Sequence, residues 1–476
     1  MIARVTPRDS RDTLGMMVIG AAMLVAAATG IIAAISVKTA AAAVIGLVTM
    51  LAAIFRPVVV ILILFLTVYP STLTLAGISI QRLGGPLALL VAVTQLLRGG
   101  VHLRRPTLTL VLVVAYAGLA AASLSWSSSV SGTLDALASL GISLAYMAAV
   151  LLVLKDSRDL LPIFWAVTLW SALLGGWWIL SYARGDSREF NALGDPNFFA
   201  ALQVVAAPLA LALIGATRRR AARIVLYVAL VLIAGSIPAS LSRGGMVALI
   251  LTGVVIAIIP SVYLFSSGAQ KRNFFLGVAV MSIALTAMAG ATLSQRFEQV
   301  LNDPSGGAGR GDLALAALHG FHDHPLLGMG FGAFPPNSFQ LLRSTPGVYL
   351  DLHLRCLAGG STVRAAGSFC TGQPVHNTYV ESLVELGIPG VLLFCGVLLA
   401  AGWSLVRTSR LARVANDNFS ASIAAALAIG LFGFALVSTT LSTETNRTPW
   451  MIVALSLALP SMVGPARLWG EREAQP

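Results

Sequence analysis

Apolar runs of about 17–24 residues recur along nearly the whole chain, and they decide what it can fold into. Wound as a helix at 1.5 Å per residue, such a run crosses about 30 Å of hydrocarbon. The runs lie at 14–35, 39–55, 57–76, 80–97, 107–125, 133–154, 160–182, 197–215, 222–239, 244–265 and 274–291. Three more lie at 388–406, 420–440 and 448–463. Composition agrees: 57% of the 476 residues are hydrophobic and 11% are charged, against about 25% charged in soluble chains. No soluble interior hides that much apolar surface. The expected fold class is an all-α polytopic membrane protein with about 12–14 transmembrane helices. A disulfide-rich secreted scaffold, with only three Cys, and a disordered chain are excluded.

The formal charge of +12 follows from topology. With the N-terminus inside, the inner segments carry 20 of the 31 Lys and Arg residues, among them Arg4, Arg8, Arg11, Arg218, Arg219, Arg220, Arg407, Arg410 and Arg413. This is positive-inside bias rather than a nucleic-acid footprint, and it places both termini in the cytoplasm. The first run is too long for the apolar core of a signal peptide and is followed at once by further runs, so it reads as a retained helix.

Three regions result. Residues 1–291 form an N-terminal transmembrane bundle, 292–387 a large external loop, and 388–476 the C-terminal helices with a cytoplasmic tail. The loop is polar, rich in Gly and Pro, and holds five of the six His. Long loops in a compact protein usually carry function.

Five groups of residues in and near this loop have chemistry to offer. Ser242-Arg243-Gly244-Gly245 sits at the outer end of a helical hairpin, opposite to the charge bias. A guanidinium at membrane depth costs a few kcal/mol or more. Arg243 therefore either meets a partner or ligand, or caps a turn and reaches to lipid phosphate. Gly306-Gly307-Ala308-Gly309-Arg310-Gly311-Asp312 opens a short helix. A Gly-rich turn at a helix N-terminus suits phosphate, and Arg310 adds a planar fork; the alternative is a solvated loop with Asp312 as a cap. His319, His322 and His324 with Asp323 resemble a metal cluster, but no distant Cys, His or Glu set completes it, so no metal site is expected. His376 lies at the membrane–water boundary. Its ordinary pKa of about 6.5 suits a general base near neutrality, and a hydrogen-bonded interfacial His is the alternative. Cys356 and Cys370, in the same external loop, are expected to form a disulfide worth about 3 kcal/mol by loop entropy.

The order of these motifs resembles that of the O-antigen ligase family of bacterial membrane glycosyltransferases, which includes O-antigen and exopolysaccharide polymerases. The resemblance runs from about Asn191 to Gly390. It rests on Gly194-Asp195-Pro196-Asn197 before a span, Ser242-Arg243-Gly244-Gly245 in a hairpin, and Gly309-Arg310 opening a helix. It continues through His324-Pro325-Leu326-Leu327-Gly328-Met329-Gly330, His376-Asn377 and Glu385-Leu386-Gly387. The resemblance implies a GT-C-like enzyme of the bacterial inner membrane, working at the periplasmic face without metal or other cofactor. Its donor is a glycan on undecaprenyl diphosphate, and its acceptor a saccharide such as lipid A–core. The matching positions assign Arg243 and Arg310 to the donor diphosphate and His376 to the acceptor hydroxyl as base. Arg184, Arg188, Asn197, Asn377 and Glu385 are further substrate-binding candidates.

Three functions compete at this point. One is a ligase joining finished polysaccharide to its acceptor. Another is a polymerase with the same chemistry, used in O-antigen or exopolysaccharide synthesis. The third is a flippase for lipid-linked oligosaccharides. A transporter places ionisable groups near the bilayer midplane, whereas here the spans are nearly free of charge and the ionisable residues gather in the loop. Transferase is the expected class.

Overall fold

The computed structural model describes residues 55–68, 74–75, 78–98, 107–184, 195–265, 267–278, 294, 298, 309–348 and 372–463. The described chain is helical throughout, apart from one antiparallel ladder in which β1 (Thr74–Leu75) pairs with β2 (Ile78–Ser79). The first helices are α1 (Pro57–Thr67), α2 (Ile80–Leu97), α3 (Leu108–Ala122), α4 (Val130–Val153) and α5 (Ser157–Ala183). They are followed by α6 (Pro196–Ala216), α7 (Arg220–Ala239) and α8 (Arg243–Ile258). Then come α9 (Arg310–Asp323), α10 (Phe334–Ser344), α11 (Thr378–Val414), α12 (Asn418–Val437) and α13 (Arg447–Ala458). Seven helices among the described residues are long and apolar enough to span a bilayer, and three shorter apolar helices accompany them. The protein is an all-α, multi-pass membrane protein. The expected spans at 14–35 and most of 39–55 lie outside the described residues, as does most of the span at 274–291.

α6 is the axis of the bundle. Its sequence is apolar on every side and rich in Ala, and a helix without a polar face belongs in the interior. Of its membrane-length window, 83% is buried. Small side chains let neighbours approach closely, and α6 packs against α12, α7, α5 and α8. Asp195 starts the helix: its carboxylate accepts the N–H groups of Asn197 (2.7 Å) and Phe198 (3.3 Å), with Pro196 at the first helical position.

Two ends of the bundle follow from the chain path. Arg218, Arg219, Arg220 and Arg223 stand where α6 ends and α7 begins, and Arg407, Arg410 and Arg413 close α11. The opposite end collects the N-termini of α6, α8 and α11 and the C-termini of α7 and α12.

At that end the described parts of the long loop, 309–348 and 372–387, are packed against the bundle. α9 packs on α10 and on α11, around a small core of Leu313, Ala316, Ala317, Phe334, Leu342 and Val384. α11 begins at Thr378, ten residues ahead of the apolar run at 388, because Asn377 caps it and the first turns bury Val384 and Leu386 against the loop. The helix breaks once, at Gly387 (φ 67°, ψ −164°). The turn at 325–330 closes the break: Met329 N–H donates to Val384 C=O, Gly330 N–H to Glu385 C=O (both 2.9 Å), and Ile388 N–H to Pro325 C=O (3.2 Å). Carbonyls that a break would orphan are therefore satisfied by another segment. The Glu385 carboxylate completes the joint by accepting Gly332 N–H (2.7 Å) and Phe334 N–H (3.2 Å).

Candidate functional site

A cavity of about 280 Å³ opens at this end, lined by Arg243, Gly244, Arg310, Gly311, Ala314, Val375, His376, Asn377, Thr439 and Thr440. At about 30 Å³ per water, it holds several waters or a small anion. Arg243, Arg310 and His376 come from segments far apart in sequence, and the fold brings all three to one space.

Each is placed by a local device. Arg243 is the first residue of α8. The turn before it is tight, with Leu241 in the left-handed region at φ 56°. Ser242 caps the helix, its hydroxyl oxygen accepting Gly245 N–H at 3.2 Å while its O–H donates to Asn197 Oδ1 at 2.9 Å. That second bond ties the N-terminus of α8 to the N-terminus of α6. Gly244 is small because a Cβ there would stand 2.2 Å from Thr440 Oγ1, so α8 seats against the connection after α12. Arg310 is the first residue of α9, and Gly309 enters that helix at φ 78° without a side-chain cap. His376 precedes α11 and itself holds φ 58°. A left-handed non-glycine residue costs about 1–3 kcal/mol and persists only where its surroundings fix it. Asn377 caps α11 through Tyr379 N–H and Val380 N–H.

Three helix N-termini, those of α8, α9 and α11, thus meet at one cavity with two guanidinium groups. Each N-terminus carries roughly half a positive charge from its aligned peptide dipoles. Such an arrangement of positive charge favours an anion. Burial pushes the Arg310 pKa down; Asp195 opposes that shift and Arg243 adds to it. His376 is also pushed below its ordinary value, first by burial and then by the Arg310 charge, with Asp195 again opposing. Both causes favour the neutral imidazole, the form a proton acceptor needs.

The remaining sequence candidates separate. Asn377 lines the cavity. Asn197 stands behind it, bonded to Ser242. Glu385 is buried and grips the backbone at 332–334, away from the lining residues. Arg184 is exposed at the C-terminus of α5 and is not among them. Arg188, Cys356 and Cys370 lie outside the described residues. The side chains of His322 and Asp323 are exposed, and among the described residues no group of three or more His, Cys, Asp or Glu is arranged to hold a metal.

Asp195, Thr439 and Thr440 belong to the site's surroundings and were not singled out for it from sequence. The hydroxyl-rich run Ser438-Thr439-Thr440-Leu441-Ser442-Thr443 between two apolar stretches was the available signal. Asp195 reads as a helix cap, and its effect on Arg310 and His376 needs the tertiary fold.

No curated protein matches the chain. Residues 228–354 match the family model described as O-Antigen ligase, a segment that holds Arg243 and Arg310 and stops short of His376. This match is consistent with the O-antigen ligase family and carries ligase- or polymerase-type function in general.

Proposed function

We propose that the protein is an inner-membrane glycosyltransferase of O-antigen ligase type, with the cavity at the periplasmic face. It transfers a glycan from undecaprenyl diphosphate to a hydroxyl of an acceptor saccharide such as lipid A–core. The observation that carries this reading is the meeting of Arg243, Arg310 and His376 in one cavity ringed by three helix N-termini.

The acceptor oxygen bonds to the anomeric carbon while the bond from that carbon to the phosphate oxygen breaks. The electron pair leaves with the diphosphate, which stays on its polyprenyl carrier. The acceptor proton passes to an imidazole nitrogen of His376. Charge that grows on the leaving oxygen is met by Arg243, Arg310 and the N-termini of α8 and α9, so the chain itself supplies the neutralisation that a metal gives elsewhere. A base on one face and a leaving diphosphate on the other give inversion at the anomeric carbon.

Purified protein, a lipid diphosphate-linked donor and a matched acceptor test this. His376→Ala should lose roughly 10²–10⁴-fold in turnover, and near-normal turnover overturns the base assignment. Arg243→Lys should stay about 30- to 1,000-fold down, because a point charge does not replace a two-pronged contact. Activity abolished by EDTA and restored by Mg²⁺ overturns the metal-independent chemistry. In a deletion strain, unattached full-length polymer supports the ligase; single repeat units point to a polymerase using the same site.

A further inference from the structure

His376 keeps its left-handed backbone through contacts that neither the helix cap nor the cavity requires. Its N–H donates to Ser442 Oγ at 3.2 Å. The Ser442 hydroxyl in turn donates to Glu381 Oε2. The same Oε2 accepts Val375 N–H at 3.2 Å. One carboxylate oxygen thus holds the residue before His376 directly and His376 itself through one hydroxyl. Asn377 already satisfies the first N–H groups of α11, so Glu381 is not needed as the cap.

Nor is it an inexpensive choice for the position. Glu381 is 3% exposed and lies near two further buried carboxylates, Glu385 and Glu444. An apolar side chain would fill the space without the cost of burying a charge or its proton. What the apolar side chain lacks is an acceptor for the two turn contacts.

We infer that Glu381 is the positioning residue for His376, acting with Ser442 to fix the 375–376 turn that points the imidazole into the cavity. The effect on turnover rests on the reading of His376 as base; the fixing of the turn stands independently of it.

The experiment uses full-length purified protein and the variants Glu381→Ala, Glu381→Gln and Ser442→Ala. Two quantities are read: the rate at which diethyl pyrocarbonate modifies His376, followed by peptide mass spectrometry with exposed His322 as internal reference, and the kcat and donor KM of transfer. Glu381→Ala should raise the His376 rate about fivefold or more as the turn opens locally. Its kcat should fall about 10- to 100-fold, the usual cost of a base displaced by an ångström. Donor KM should stay within about twofold, since the anion-holding groups are untouched. Glu381→Gln keeps an acceptor oxygen and should restore both quantities to near the wild-type level. Where Glu381→Ala does not fold, Ser442→Ala removes only the link to the His376 N–H and should shift both quantities in the same direction.

An unchanged His376 rate in folded Glu381→Ala or Ser442→Ala overturns the proposal, as does a Gln variant as impaired as the Ala variant. Full activity in His376→Ala overturns the base reading instead, and the modification rates then still decide the role of Glu381.

Discussion

His376 sits among groups that set the pH at which it works. Burial and the Arg310 charge lower its pKa, and Asp195 partly offsets them. The base form is the active one, so activity is lost as pH falls through the lowered value. The acidic limb of kcat/KM should therefore lie below the ordinary histidine value of about 6.5. Replacing Arg310 by Gln removes a neighbouring positive charge, and the limb, measured on the residual activity, should move up toward that value. A limb that stays in place or moves down would show that Arg310 does not act on His376. Stability carries the same sign. The unfolded chain takes up the proton at higher pH than the fold does, so stability falls as pH drops from about 6.5 through the lowered value.

The elements are held by close backbone approaches at which glycine has no substitute. Gly387 breaks α11 at φ 67°, and a Cβ there would stand 2.3 Å from Leu326 C=O. Gly328 answers from the other side at φ 66°, 2.3 Å from the Glu385 carbonyl carbon by the same measure. Within a helix, Gly→Ala normally stabilises by about 0.5–1 kcal/mol. Gly253 in α8 has nothing within 4 Å of its position for a Cβ, so Gly253→Ala should leave thermal stability unchanged or raise it slightly. Gly387→Ala should have the opposite sign, with a loss of about 2–4 kcal/mol from a strained φ and a steric overlap. Melting the two purified variants in the same detergent tests this, and equal behaviour would mean that the joint between α11 and the 325–330 turn does not bear on stability.

For the molecule as a whole, the proposed side of the membrane rests on charge: the Arg clusters after α6 and at the end of α11 stand at the end opposite the cavity. The side chain of His322 is 88% exposed, so a His322→Cys variant in intact cells should react with a membrane-impermeant thiol reagent. Protection there, with reaction at a position in the Arg218–Arg220 turn, would invert the topology. The seven membrane-length helices and the hairpin around Arg243 were legible in the sequence, as were Arg243, Arg310 and His376 as candidates that the fold brings to one cavity. The expected span at 57–76 was not, since α1 stops at Thr67 and a strand follows at 74–75. Hydrophobic run length and Arg placement answer to the bilayer, which acts on every residue in the same way wherever the chain goes next. The early start of α11, the joint that takes Glu385, and the parts played by Asp195, Glu381 and Ser442 were not legible. Those depend on segments up to about 180 residues apart in sequence acting on each other, such as the Asp195 charge acting on His376 and Ser442 donating to Glu381. Polar residues of this kind carry no periodic signal. Sequence determines that the chain crosses the membrane repeatedly and which cations it leaves at one end; only tertiary packing decides that three helix N-termini and one strained histidine share a single cavity, because that is settled by which segments close on each other.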